Sequence, residues 1–330
     1  MLKKNFWNKK KVLITGIHGF LGSNLCKFLI KKNANVYGLH NFNSKTSLLN
    51  FEKINNFNSL NFSIDNLIKL KEFINDNNID ICFHLAAQVE VQKAYKFPYD
   101  TFNNNIHSTL NLCEALKDNK RIKSFIFCST DKVYGEINKN LLPYKEIYQP
   151  KPDHPYEVSK LICENIVRTY TENYNLNSLI TRSCNLYGPG QLNFSAIIPS
   201  LIMTGMKKEK FIPRSNGLLL RDYMFIEDWV NTLINISEQI YSKKPKKLVY
   251  NFGTNKPYTV KEISKLILNK FDPRITKNIL KLFENYVSKN EINYQSLDSN
   301  RAINEFGFKA STSLNKGIDK TINWYKKFIK

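Results

Sequence analysis

Residues 11–22 have the sequence KVLITGIHGFLG, in which a short apolar run leads into a turn with three glycines. The apolar and β-branched residues of Lys11–Thr15 predict a buried strand. Apolar residues then recur at helical spacing, which predicts a helix over Gly19–Lys32. A glycine-rich turn between a strand and a helix lets the backbone and the free N–H groups of the helix approach a pyrophosphate. The stretch therefore predicts a dinucleotide-binding turn, with the spacing G-x-x-G-x-x-G rather than the commoner G-x-G-x-x-G.

The alternation of strand and helix continues along the chain. Further strands are predicted at Asn35–Leu39, Leu60–Ile64, Ile81–Leu85, Ser124–Cys128 and Ser178–Thr181. Further helices are predicted at Leu67–Asn75, Thr101–Leu116, Tyr156–Tyr174, Glu227–Ile240 and Ser313–Phe328. Strands that alternate with helices pair in parallel, and right-handed crossovers place helices on both faces of the sheet. We therefore expect an α/β fold, a Rossmann-type doubly wound parallel sheet with a smaller C-terminal α/β region after about Gly188.

The composition excludes several classes of protein. Hydrophobic residues make up 42% of the 330 residues, which is enough for a sizeable core and argues against global disorder. No apolar run approaches the ~20 residues of a membrane helix, so we expect no membrane partner. The six cysteines form no C-x-x-C pair. We therefore expect buried, reduced thiols in a cytoplasmic protein, and no metal site.

The net charge of +21 suggests a nucleic-acid partner at first sight. The basic residues, however, are scattered in ones and twos, and lysine far outnumbers arginine. No RNP, zinc-finger or homeodomain pattern accompanies them. We therefore interpret the charge as a solvated basic surface that is compatible with a small anionic substrate, and we predict no nucleic-acid partner.

The residues after the second strand leave the choice between NAD and NADP open. A site that prefers NAD usually carries Asp or Glu near the end of this strand, where the carboxylate binds the ribose 2′-hydroxyl. This chain has His40, Ser44 and Lys45 in that region and no acidic residue. His40 and Lys45 could bind the 2′-phosphate of NADP, or they could be surface residues of an irregular loop.

Two further motifs carry chemistry that suits a nicotinamide cofactor. The segment STDK at 129–132 follows the fifth strand, and catalytic groups in open α/β sheets gather at the carboxyl ends of strands. Tyr156 and Lys160 stand four residues apart and share one face of a predicted helix. The lysine and a cationic nicotinamide would lower the pKa of the phenol, which could then take a proton from a substrate hydroxyl while hydride leaves. An ordinary amphipathic helix with one exposed lysine is the alternative.

With these motifs the chain resembles the extended short-chain dehydrogenases/reductases, and within them the branch of nucleotide-sugar epimerases and dehydratases. Other segments that carry the resemblance are HLAAQ at 84–88, Asn105, RSCNLYGPG at 182–190, RDY at 221–223 and ED at 227–228. The resemblance implies that residues 1–188 are mainly an NAD(P)-binding Rossmann domain and residues 189–330 mainly a nucleotide-sugar-binding region, with the chain crossing between them. It also implies a tightly bound and recycled cofactor, a nucleoside diphosphate sugar as substrate, and a homodimer built from the helices at 101–116 and 156–174.

The resemblance also implies roles for individual residues. The catalytic triad would be Thr130, Tyr156 and Lys160. Besides the tyrosine and lysine, the cofactor contacts would be Gly16, His18, Gly19, Phe20, Leu21, Gly22, Leu85, Ala86, Ala87 and Asn105, with His40, Ser44 and Lys45 at the ribose. The substrate contacts would be Gln88, Asn185, Asn193, Arg221 and Arg301. Arginine suits bidentate phosphate contact, but a surface salt bridge is the alternative for both arginines.

Asp131 and Lys132 bear on the sub-branch. Sugar 4-epimerases usually have small or apolar residues at these two positions, and dTDP-glucose dehydratases have Asp-Glu. Asp-Lys looks like CDP-glucose 4,6-dehydratase, and a lysine also occurs at this position in inverting UDP-N-acetylglucosamine dehydratases. The resemblance implies that Lys132 abstracts the C5 proton and Asp131 donates a proton to the C6 oxygen. The alternatives are a structural ion pair between the two side chains, a nucleotide-sugar epimerase, and an inactive NAD(P)-sensing or nucleic-acid-binding member of the fold.

Overall fold

A parallel β-sheet lies at the centre of the molecule, whose computed structural model describes residues 6–39, 46–60, 62–207, 209–284 and 292–329. The strands are β1 (Lys11–Thr15), β2 (Asn35–Leu39), β3 (Asn58–Leu60), β4 (Ile81–His84), β5 (Ser124–Thr130), β6 (Ser178–Ser183), β7 (Asn185–Tyr187), β8 (Leu220–Arg221), β9 (Tyr223–Phe225), β10 (Val249–Phe252) and β11 (Tyr258–Thr259). Within the described ranges, seven of them pair in parallel in the order β10-β6-β5-β4-β1-β2-β3. This order confirms the predicted doubly wound sheet. It reverses between β1 and β4, where the carboxyl ends of the strands open a crevice.

Helices cover both faces of this sheet. They are α1 (Phe20–Lys31), α2 (Leu48–Phe51), α3 (Leu67–Asp76), α4 (Val91–Lys96), α5 (Pro98–Leu116), α6 (Pro155–Tyr174), α7 (Ile197–Gly205), α8 (Ile226–Ser242), α9 (Val260–Leu268), α10 (Pro273–Glu284), α11 (Asn300–Phe306) and α12 (Leu314–Phe328). Val12 and Ile14 of β1 belong to the core beneath α1 and α8, whereas Leu13 belongs to the core beneath α3, α5 and α6. Successive side chains of a strand point to opposite faces, so one short strand contributes to both cores.

The second half of the chain also contributes to the central sheet. Strand β10 pairs with β6, in the register Val249 opposite Ile180. In the described part of the chain, the other late strands form two small sheets, β11 with β8 and β7 with β9. The division of the chain at about residue 188 stays a prediction.

The predicted third strand at Leu60–Ile64 is displaced. The observed strand β3 covers Asn58–Leu60 and pairs with Tyr37–Leu39 of β2. Ile64 is buried and Phe62 packs against the same core, but neither residue is in a strand. The apolar residues here indicate burial of a connecting segment, which periodicity alone does not distinguish from a strand.

The segment Leu218–Phe225, whose apolar residues are typical of a single strand, is divided into two strands at Asp222. Its first part, β8, pairs antiparallel with β11, and its second part, β9, pairs parallel with β7. The buried Asp222 carboxylate accepts hydrogen bonds from the backbone N–H groups of Thr254 and Asn255 at 2.7 and 3.0 Å. The chain changes sheets at this residue, whose side chain holds the loop that follows β10.

Two expectations from composition can be compared with the structure. The six cysteines are free, and all are buried except Cys128, which is half-buried. Among the described residues, no helix is both long and apolar enough to span a membrane.

Candidate functional site

A cavity of about 560 Å³ opens at the carboxyl ends of β1, β4 and β5. Its walls include most of the residues that the sequence predicted for a site: Gly16, Gly19, Phe20, Leu21, Gly22, Leu85, Ala87, Thr130, Asp131, Lys132, Tyr156, Lys160, Asn185, Asn193 and Arg221. Residues 70 to 200 positions apart in the chain therefore meet in one space. The crevice lies where the strand order of the sheet reverses, between β1 and β4.

The glycine turn forms one end of the cavity. Gly16 has φ +71°, and a Cβ there would lie 2.9 Å from the backbone of Ala86. A Cβ on Gly22 would lie 2.3 Å from the carbonyl oxygen of Gly16. Side chains at either position would therefore push the turn apart, and the spacing of the glycines is needed for the close packing of α1 on β1 and β4.

The first turn of α1 faces this end of the cavity. Gly19 is its N-cap, and no side chain caps the helix. The first backbone N–H groups of a helix have no partner within the helix, and they carry its partial positive charge. An uncapped helix start behind a glycine turn fits a pyrophosphate, so the residues present fit a dinucleotide.

The wall between β1 and β4 is held by a small hydrogen-bond network. The Thr15 hydroxyl accepts from the backbone N–H groups of Leu85 and Ala86 at 3.1 and 3.2 Å. It also lies 2.7 Å from Nδ1 of the buried His84, whose Nε2 lies 3.0 Å from the Thr109 hydroxyl. Burial lowers the pKa of His84 to about 3, so the ring is neutral at physiological pH.

At the other end of the cavity, Thr130 ends β5 and a short 3₁₀ turn, Asp131–Tyr134, follows. The Thr130 hydroxyl donates to Asp131 Oδ1 at 3.1 Å and accepts from the backbone N–H of Lys132 at 3.3 Å. Asp131 Oδ2 is buried and has no hydrogen-bond partner among the described residues, and burial raises the pKa of this carboxyl. In the described ranges, no salt bridge within 4.0 Å joins Lys132 to Asp131, although the lysine charge partly opposes the rise in that pKa.

Tyr156 and Lys160 lie in the first two turns of α6, both buried. Burial raises the pKa of Tyr156, the Asp131 and Glu157 carboxyls add to the rise, and a hydrogen bond with Thr130 opposes it. The lowering of the phenol pKa expected from the sequence depends on Lys160 together with a cationic nicotinamide, and it stays a prediction. Burial also lowers the pKa of Lys160, whose ammonium lies 4.1 Å from the ring centre of Phe127.

Several predicted site residues do not line the cavity. The Asn105 side chain is buried, where it binds both backbone groups of Gln88 and the Ser159 hydroxyl. The Gln88 amide turns to the Glu90 carbonyl at 3.0 Å. Asn105 and Gln88 thus hold the loop after β4, and their predicted ligand contacts stay predictions. The backbone of Ala86 packs behind Gly16.

His18 and Arg301 are also placed elsewhere. His18 Nδ1 lies 3.2 Å from the Ser47 hydroxyl, and its ring contacts Phe57. Arg301 donates to the Val249 carbonyl at 2.9 Å and lies 3.8 Å from the Glu146 carboxylate. Arg301 therefore does not line the cavity, because β10 and Glu146 hold its guanidinium, and its predicted phosphate contact stays a prediction. His40, Ser44 and Lys45 lie outside the described residues.

Sequence reasoning missed some cavity residues. Glu157 is buried, lines the cavity and leaves its Oε2 without a partner. Its pKa is raised to about 7, mainly by burial. A helical wheel of α6 would have placed Glu157 on the same face as the later Glu164, but no spacing shows which of two carboxylates has a partner. Other lining residues without an earlier role are Glu90, His154, Gln191, Arg214 and Gln295.

Comparison with known proteins places this site in a family. The model of the family described as GDP-mannose 4,6-dehydratase matches residues 13–321. A human dTDP-D-glucose 4,6-dehydratase is 28% identical over 326 residues, covering 96% of this chain and 90% of the relative. The Arabidopsis thaliana trifunctional UDP-glucose 4,6-dehydratase/UDP-4-keto-6-deoxy-D-glucose 3,5-epimerase/UDP-4-keto-L-rhamnose-reductase is 30% identical over 97% of this chain. The chain spans about half of that plant protein's length, 47%.

Solved structures share the fold along nearly the whole chain. The Thermotoga maritima UDP-glucose 4-epimerase, solved with UDP-glucose, has a TM-score of 0.83 and 26% identity, and the match covers 97% of this chain and 100% of that one. The Bacillus anthracis dTDP-glucose 4,6-dehydratase, solved with NAD, has a TM-score of 0.81 and 24% identity over 96% and 97% of the two chains. By its family match, this chain belongs to the NAD-dependent epimerase/dehydratase family of extended short-chain dehydrogenases/reductases.

Proposed function

We propose that the chain is a nucleotide-sugar 4,6-dehydratase, which converts a nucleoside diphosphate hexose to its 4-keto-6-deoxy form. The observation that carries the proposal is that Asp131 and Lys132, an acid and an amine, line the same cavity as Tyr156. Dehydration needs two proton-transfer groups beyond those that oxidise C4, and these residues supply them. Their Asp-Lys pair favours CDP-glucose as the substrate, while the relatives named above act on dTDP- and UDP-glucose.

The proposal includes a tightly bound NAD, the cofactor found in a structural neighbour. The uncapped start of α1 and the turn from Gly16 to Gly22 would hold its pyrophosphate. When bound, this cofactor supplies the hydride acceptor for C4 and the hydride donor for C6. NADP remains the second candidate, since the predicted ribose residues lie outside the described ranges.

Tyr156 is the proposed base for the C4 hydroxyl. The phenol lies beside Thr130, whose hydroxyl would orient the C4 oxygen. Lys160, one turn further along α6, would supply the positive charge that favours the phenolate. Because burial raises the pKa of Tyr156, this positive charge is necessary for base action near neutral pH.

Lys132 and Asp131 are the proposed groups for the elimination of water. Lys132 takes the C5 proton, which the C4 ketone makes acidic, and Asp131 gives a proton to the C6 oxygen as it leaves as water. Lys132 then returns a proton to C5 as C6 is reduced, so the 4-keto-6-deoxy product keeps a hydrogen at C5. Burial raises the pKa of Asp131, which favours the protonated form that a proton donor needs. Lys132 is only half-buried, so solvent can exchange its protons.

Arg221 is the proposed diphosphate contact, since it is buried and lines the cavity. Asn185 and Asn193 would add amide contacts to the sugar or the phosphates. A cytoplasmic homodimer, formed through α5 and α6, is part of the proposal.

Epimerisation is the second candidate function, because the Thermotoga maritima UDP-glucose 4-epimerase superposes with a TM-score of 0.83. The products of the two reactions differ in mass, because only dehydration removes water from the sugar. Purified protein is incubated with CDP-, GDP-, UDP- and dTDP-hexoses in heavy water, and the products are analysed by mass spectrometry. Loss of water with one deuterium retained supports dehydration, whereas an unchanged mass with an inverted centre supports epimerisation. No turnover by protein that holds its cofactor contradicts both, and denaturing the sample releases NAD or NADP for identification.

A further inference from the structure

We propose that Glu157 is a substrate-contacting residue whose carboxyl binds a hexose hydroxyl beside the reacting carbons. The inference rests on the proposed function, because it requires that the sugar lies at the Tyr156 end of the cavity. It adds a polar contact to the site that neither the motifs nor the comparisons assign.

Glu157 lies near the start of α6 but does not cap the helix. It is the third residue after the N-cap His154, a position from which glutamate often binds back to its own helix start. Here no such capping bond forms, and no hydrogen bond of the described residues involves its carboxylate. The side chain instead lines the cavity, with Oε2 buried. A buried carboxylate oxygen without a partner is unfavourable, and a ligand hydroxyl would remove that cost.

Glu164 provides an internal comparison. It lies two turns further along the same face of α6 and is buried to the same degree, 2% exposed for both residues. Both of its oxygens bind the Arg182 guanidinium, and Oε1 also accepts from Ser129. The fold thus provides hydrogen-bond partners for both carboxylate oxygens of Glu164, whereas the carboxylate of Glu157 faces the cavity.

The charges around Glu157 indicate which part of a substrate it meets. Asp131 and Asp153 raise its pKa and Lys132 and Arg221 lower it, while burial has the largest effect and brings the pKa to about 7. Near neutral pH the group therefore exists both as a donor and as an acceptor. A sugar hydroxyl can pair with either form, whereas a diphosphate would be repelled by the carboxylate. Its neighbours Tyr156, Asp131 and Lys132 place it at the hexose end.

The test compares two variants of Glu157 with a control on the same helix. Glu157→Leu removes the hydrogen bond, Glu157→Gln keeps a polar group of the same shape, and Glu172→Gln removes one charge from an exposed position. Titration calorimetry measures binding of CDP-, GDP-, UDP- and dTDP-hexoses, each against its own nucleoside diphosphate. We expect Glu157→Leu to weaken binding of the nucleotide sugar roughly ten- to hundredfold and to leave the diphosphate unchanged. The affinity of Glu157→Gln for the nucleotide sugar should lie between those of the parent and Glu157→Leu. The affinity of Glu172→Gln should equal that of the parent.

The melting temperature separates this role from a structural one. Replacing an unpartnered buried carboxyl by leucine should leave the melting temperature unchanged or raise it, while sugar binding falls. A lower melting temperature with equal losses for sugar and diphosphate would overturn the inference, as would sugar binding and kcat/KM equal to the parent's. If the parent, holding its cofactor, neither binds nor converts any of the four classes of nucleotide sugar, the proposed function fails and the inference fails with it. A parent that turns over and an equally active leucine variant contradict the inference alone.

Discussion

Arg182 binds both carboxylate oxygens of Glu164, with Nε at 3.0 Å from Oε1 and Nη2 at 2.6 Å from Oε2. Both side chains are buried, and the guanidinium stacks 4.7 Å from the ring centre of Tyr134. Ser129, one residue before Thr130, donates to the same carboxylate at 2.6 Å. The pair therefore joins β5, β6 and α6, the elements that carry Thr130 and Tyr156. The pair thereby fixes the position of Thr130 relative to Tyr156.

Arg182→Met should destabilise the protein strongly. The change leaves Glu164 buried without its cation, which costs about 3–5 kcal/mol of unfolding free energy. The measurement is urea denaturation of the parent and the variant. The double variant Arg182→Met with Glu164→Leu should recover much of the loss, because no charge is then left unpaired. Single and double variants of equal stability would contradict this account of the pair.

Lys132→Ala should stop dehydration while the fold persists. If Lys132 is the C5 base, kcat falls by roughly a hundred- to ten-thousandfold, and deuterium no longer enters C5 from heavy water. The variant should still reduce its bound cofactor when the sugar is added, which is followed by absorbance near 340 nm. Deuterium uptake at the parental rate would show that another group removes the proton.

Arg221 and Arg301 form a matched pair for testing the diphosphate contact. Arg221 lines the cavity, whereas Arg301 is held by Val249 and Glu146 outside it. Arg221→Gln should weaken binding of a nucleoside diphosphate roughly ten- to hundredfold, because a charged hydrogen bond is lost. Arg301→Gln should leave that affinity unchanged and lower the melting temperature slightly. Equal effects on affinity would mean that the cavity is not the diphosphate site.

Gly22→Ala should impair cofactor binding through the backbone. The added Cβ would lie 2.3 Å from the Gly16 carbonyl oxygen, so the turn must shift. We expect the affinity for NAD to fall at least ~tenfold, since the turn must approach the pyrophosphate closely. NAD retained after purification and a direct titration measure the change. Gly19→Ala, whose Cβ would lie 3.1 Å from the same oxygen, should lower the melting temperature less than Gly22→Ala does.

His84 should make the protein less stable in acid. Its pKa is about 3 in the folded state, because burial disfavours the charged ring, and about 6.5 when unfolded. Between these values the unfolded chain binds more protons, so the unfolding free energy falls as pH falls from about 6.5 towards 3. The loss attributable to His84 between pH 7.5 and pH 5 is about 2 kcal/mol.

Comparison of variants isolates this contribution. In His84→Gln, denaturant titrations at pH 7.5 and pH 5 should differ by about 2 kcal/mol less than in the parent. The exposed His107 serves as the control, and His107→Gln should keep the parental pH dependence. An unchanged pH dependence in His84→Gln would mean that the ring is charged in the folded protein.

The sequence by itself determined the local features. The run Lys11–Thr15 forms β1 and the residues after Gly19 form α1, because apolar periodicity and glycine spacing act over a few residues. The same local signals located Tyr156 and Lys160 on one helix and Thr130 at a strand end. Once these elements are known, the parallel topology follows, because short right-handed crossovers leave few alternatives.

Only the tertiary structure decided which side chains reach the cavity and which have partners. Arg221 and Arg301 are both arginines that the sequence offered as phosphate contacts, yet of these two only Arg221 lines the cavity, because a contact with β10 holds Arg301 away. Glu157 and Glu164 share a helix face, yet of the two only Glu164 forms a hydrogen-bonded ion pair, with Arg182 of β6. Burial and long-range partners set these outcomes and the pKa of each group, and neither is encoded in the spacing of neighbouring residues.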